Sequence, residues 1–200
     1  MKKIKLFLSA IMCLAMSATA VAQETVDLEK MTKEERKAYE AKQGAIEHDA
    51  AVQALKSGNW MLIVEQRDDI ILSEREKTIN FLIVENGEDV LFQTGSESSS
   101  GNNVLGGVTV DSKLKTDKTK IEEKPNGEVK AKYEGTGTYM SCRLNVKIAK
   151  KDGYTEVSLS DNRCGVNVDL RGILQPLNKA KVKVGKMFVP VGRAKWNEAM

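Results

Sequence analysis

Few residues of this chain are of a type and spacing that could do chemistry. His48, the single histidine, lies between Glu47 and Asp49. Adjacent helical positions point about 100° apart, so neither carboxylate shares its face and a surface position is expected. A serine hydrolase would have to combine His48 with a serine outside any Gly-x-Ser-x-Gly elbow. Zinc would lack Cys-x-x-Cys or His-x-x-x-His spacing, so no metal site is expected. Glycoside hydrolysis needs only two carboxylates about 5 to 9 Å apart. The acidic pairs Asp68-Asp69 and Glu122-Glu123 are neighbours, however, and strand neighbours face opposite ways. Gly106-Gly107 has no following Gly-Lys-Ser/Thr, and points instead to a close backbone approach or a bulge. The expectation is a non-enzyme without a cofactor.

Cys142 and Cys164 are the cysteines left once Cys13 is set aside. Each sits on an apolar alternation, Met140, Cys142, Leu144, Val146, Ile148 and Cys164, Val166, Val168, Leu170, which turns both thiols inward. They can form a disulfide, worth roughly 3 kcal/mol in the chain-entropy model, or stay as two buried thiols. A hairpin turning at Lys151-Asp152-Gly153 sets Cys142 opposite about Asp161 and leaves Cys164 beyond the next turn. Bridging requires Cα atoms within about 7 Å.

Cys13 is set aside because residues 1–22 read as a cleaved export signal. Lys2, Lys3 and Lys5 precede an apolar run, and Ala20-Val21-Ala22 forms the small-x-small exit. The run is shorter than the ~20 residues a membrane span needs. Removing its three lysines brings the 31 basic residues down to 28, equal to the acids, so no global basic field invites nucleic acid. The expected address is the periplasm or cell envelope, with 23–58 a charged helix and 59–200 a single β domain ending in a basic tail.

The helix is predicted over 31–57. Thr32 and Glu35 match a capping box, Gly58 suits a left-handed exit, and Gly44 suggests a bend. Residues 33–43 are nearly all charged or small, while Ala45, Ile46, Ala50, Val52, Ala54 and Leu55 supply a modest apolar face. Period-two alternation then predicts strands at 60–66, 70–73, 78–85, 89–94, 104–114, 118–123, 128–134, 136–149, 154–160 and 164–174. Asn86-Gly87, Asn126-Gly127 and Asp152-Gly153 are hairpin signals. Consecutive hairpins imply an antiparallel meander, forming a β-sandwich or a small barrel. The Ser/Gly-rich stretch 95–103 reads as a loop. The tail 178–200 interleaves Lys179, Lys181, Lys183, Lys186, Arg193 and Lys195 with apolar residues, and reads as strand with its cations outward or as a weak contact with an anionic envelope surface.

The segments Phe81-Leu82-Ile83-Val84, Val90 to Ser96, Gly106 to Val110, Val157-Ser158-Leu159 and Arg171-Gly172-Ile173-Leu174 with Pro176 resemble a domain-of-unknown-function family of exported proteins from gut-dwelling Gram-negative bacteria. The resemblance covers roughly 38–176 and implies a compact, lipocalin-like β domain in the periplasm. The family has no established activity, so it assigns no residue a role, and the cysteine pair departs from it. Two function classes follow from the residues themselves. One is a binding module for an apolar or amphipathic small molecule, lined by Phe92, Tyr133, Tyr139 and Met140. The other is a structural or protein-interaction component of the envelope.

Overall fold

A computed structural model describes residues 31–96, 107–137, 140–161, 166–179 and 182. The helix α1, Lys33–Ser57, begins at a capping box in which Thr32 and Glu35 satisfy each other's free amides, and it ends at Gly58 with φ of 70°. Buried α1 residues are Gly44, Ala51, Val52, Ala54 and Leu55. Ala45 and Ile46, expected on the apolar face, are exposed instead. Gly44 serves close approach: a Cβ there would lie 2.8 Å from the Lys151 carbonyl oxygen.

Ten strands follow: β1 Trp60–Arg67, β2 Ile70–Ile71, β3 Phe81–Glu85, β4 Asp89–Gly95, β5 Gly107–Leu114, β6 Lys120–Glu123, β7 Val129–Thr136, β8 Cys142–Ile148, β9 Tyr154–Asp161 and β10 Val166–Pro176. All pairings are antiparallel, and the order β1-β3-β4-β5-β7-β8-β9-β10 returns to β1 through the Trp60 to Pro176 register. The meander therefore closes into an eight-stranded barrel, which removes the free sheet edges a sandwich would keep. β2 and β6 pair beside it on β1 and β7.

Three expected strands are trimmed. Those predicted at 70–73 and 78–85 shorten to β2 and β3, and the gap between them holds α2, Glu74–Lys77, which starts at a second capping box of Ser73 and Glu76. The strand predicted to begin at 136 begins at Cys142, because the chain turns at Gly137, whose N–H donates to Met140 O. Hairpin chemistry at Asn86-Gly87 is as expected, with φ of 54° and 65°. Gly153 needs no positive φ; it admits α1, since a Cβ would stand 3.0 Å from Glu47 O.

The inner wall carries the main core: Trp60, Leu62, Leu82, Val84, Val90, Leu144, Val146, Ile148, Val157, Leu159, Leu170 and Leu174 surround the α1 side chains Ala51, Val52, Ala54 and Leu55. A second cluster, Met61, Phe81, Ile83 and Leu91 with Val182 and the partly buried Leu177, lies on the outer face of β1, β3 and β4.

Candidate functional site

The two ends of the barrel differ. At one, α1 lies across the turns. His48 Nε2 donates to Gly127 O at 2.8 Å, Lys56 pairs with Glu123 at 2.5 Å, and Gly58 abuts Gly87. His48 is thus not the free surface residue expected; it is partly buried and ties α1 to the β6–β7 turn. A groove of about 200 Å³ beside it is lined by His48, Asp49, Val52, Lys56, Glu123 and Val129. Asp49 Oδ1 stands 3.5 Å from His48 Nδ1, so, against the expectation from helical spacing, one neighbouring carboxylate reaches the imidazole.

At the other end the wall opens. Inward positions grow more exposed along each of three strands: Val90 and Phe92 at 0% and 9% give way to partly exposed Thr94 on β4. On β5, buried Ser112 gives way to Val110 and then Val108 at 38% exposure; on β10, Leu170 gives way to Val168. The rim carries Arg67. After the bulge between Val64 and Gln66, Arg67 pairs with inward Leu170 and so faces the interior, where it donates to the Thr94 hydroxyl. Thr94 in turn donates to Asn80 Oδ1 at 3.0 Å. Asn80 is 1% exposed and fully engaged: its amide donates to Glu76 O and Gly95 O, and its oxygen also accepts from Gly95 N. This one side chain fastens α2 to the end of β4.

Deeper in, three polar atoms are buried without a hydrogen-bond partner: Trp60 Nε1, Tyr133 OH and Ser112 Oγ. The Trp60 and Tyr133 rings stand 6.1 Å apart and tilted by 45°. Burial pushes the Tyr133 phenol up to about 12; the nearby indole N–H offsets part of that rise without meeting hydrogen-bond geometry. Gly135 leaves room above them: a Cβ there would fall 2.8 Å from Ser112 Oγ and 2.9 Å from Cys142 Sγ. Cys142 is a buried free thiol whose pKa burial raises, so it is a poor nucleophile. Its register opposite Asp161 is as expected, while Cys164, the other cysteine of the two alternatives, disulfide or buried thiols, lies outside the described residues.

Of the four lining residues named from sequence, Phe92, Tyr133 and Met140 share the inner core, and Tyr139 lies outside the described residues. Arg67, Asn80 and Thr94 were missed. Arg67 falls where a bulge reverses the alternation, which no periodicity reports. The acidic pairs do not converge: Asp68 sits at a positive-φ turn and accepts from Asp169 N, and Glu123 is engaged by Lys56. Among the described residues no cluster of three metal-ligating side chains occurs, and no helix is long and apolar enough to cross a membrane. Gly107 is the close backbone approach expected, a Cβ there falling 1.8 Å from Thr94 O; Gly106 lies outside the described residues.

A closed antiparallel barrel of eight strands, stoppered by a helix at one end and, among the described residues, open at the other, is a lipocalin-like architecture. No protein-family model matches the chain, and no curated protein sequence does. Among solved structures it is similar to a DUF4251 family protein from Bacteroides eggerthii, with a TM-score of 0.57 and 23% identity over 70% of this chain and 94% of that one. The neighbour is of the kind to which the sequence resemblance pointed, a domain of unknown function from a gut bacterium; at this identity the likeness shows the fold.

Proposed function

We propose that this is an exported, non-enzymatic binding protein whose barrel takes an apolar or amphipathic small molecule through the open end. The observation that carries the reading is the graded exposure of the inner wall, from the buried Trp60 floor to Val108 at 38%. A barrel built only as a scaffold gains nothing from inward apolar residues left in water, since each buried methylene contributes about 0.8 kcal/mol. The partnerless Trp60 Nε1, Tyr133 OH and Ser112 Oγ support the same reading. Each costs about 1–3 kcal/mol when unmet, and a ligand or ordered water reaching them would supply the missing partner. The export signal read in residues 1–22 supports action in the periplasm or envelope.

Thermal unfolding of the chain from residue 23, with laurate, dodecanol, a sterol or an oligosaccharide, tests this. A saturating amphiphile is expected to raise Tm by about 5 °C or more, as binding to the native state alone requires. No shift with any of them, alongside a stoichiometric envelope protein retained on the purified chain, would favour the structural role instead.

A further inference from the structure

We infer that Arg67 is the anchor for an acidic head group, so that the barrel takes single-chain amphiphiles ending in a carboxylate. The inference rests on the binding reading above and names its ligand class. Arg67 is the inward cation of the rim, and its single described hydrogen bond is the one it donates to Thr94. A guanidinium has five N–H donors, so most of its donor capacity has no described partner. Among the described residues no carboxylate lies within ion-pair distance of it. The inward carboxylate of β9, Asp161, pairs with Val166, four positions along β10 from Leu170, the partner of Arg67. At about 3.3 Å per residue that is about 13 Å away.

The guanidinium is also held in place. Thr94 fixes it on one side, and Thr94 is fixed by Asn80, whose polar atoms are all satisfied. A preorganised planar fork suits a carboxylate, which it can meet with two parallel hydrogen bonds. The surroundings suit a hydrocarbon tail. Ile70, paired with Arg67 across the β1–β2 hairpin, is 56% exposed, its neighbour Ile71 is 81% exposed, and Val108 faces inward at the rim. Below Arg67 the same strand turns Val64, Leu62 and Trp60 into the core. The α1 side chains fill the barrel at that floor, so a head at Arg67 leaves the tail against the partly exposed Val108, Val110 and Val168.

Calorimetric titration of the chain from residue 23 with laurate and with dodecanol, below their aggregation concentrations, separates the parts. Laurate is expected to bind at least 10-fold more tightly than dodecanol. Arg67→Gln is expected to weaken laurate by roughly 10- to 100-fold, the range for a charge-assisted hydrogen bond, and to leave dodecanol unchanged. Equal binding of both ligands, with no effect of Arg67→Gln, would overturn the anchor and keep the barrel reading. Binding of neither would overturn both. If Arg67→Gln does not fold, the laurate-to-dodecanol ratio of the unaltered chain decides, and its loss in high salt for laurate alone supports the charge assignment.

Discussion

Tyr133 and Trp60 show how a barrel interior can hold polar groups at a cost that another function must justify. Both side chains are essentially unexposed, and neither polar atom has a partner. The consequence for Tyr133 is a phenol held neutral up to about pH 12, against about 10 for a free tyrosine. Above pH 10 the unfolded chain releases this proton and the folded one does not, so the unfolded state binds fewer protons and stability falls as pH rises. The loss is about 1.4 kcal/mol per pH unit between 10 and 12. Chemical denaturation of Tyr133→Phe beside the unaltered chain isolates it from the lysines, which titrate in both: the difference in stability should shift by roughly 3 kcal/mol over that window in favour of Tyr133→Phe. A constant difference would mean that Tyr133 is reached by water.

Among the elements, α1 is the one whose ends were written most plainly in the sequence, because capping is local chemistry: Thr32, Glu35 and Gly58 do what their types require within a few residues. Its packing was legible only in the later turns, where Val52, Ala54 and Leu55 are buried as expected. Gly44 reads from sequence as a helix defect, whereas its missing side chain is what lets the helix approach the β8–β9 turn. Helical Gly→Ala ordinarily gains about 1 kcal/mol. Gly44→Ala should instead lower stability, by about 1 kcal/mol or more, because the methyl would stand 2.8 Å from Lys151 O, a backbone atom that cannot swing away. Urea midpoints read this directly, and a raised midpoint would mean that α1 does not rest on that turn. The short α2 was overlooked although Ser73 and Glu76 carry the same capping signature as Thr32 and Glu35. The β-branched residues around it, Ile70, Ile71, Thr78 and Ile79, mask it with strand character.

For the whole molecule, alternation and turn residues were enough to predict an antiparallel meander, since both are read within one hairpin. Closure was not, because it depends on Trp60 meeting Pro176 across most of the chain. The site was legible in part for the same reason. Phe92, Tyr133 and Met140 follow from alternation, but Arg67 becomes inward only through a bulge, and Asn80 matters only because α2 and β4 end beside each other. What the molecule then presents is a stoppered floor, a graded apolar wall and a cationic rim. A ligand entering from this end is expected to occupy the inside of the barrel, and methyl-resolved NMR titration with laurate reads its position. Shifts are expected at Val108, Val110 and Val168, with little change at the outer-face residues Met61, Ile83 and Leu91. Shifts confined to the outer face, or none at saturating laurate, would contradict that placement.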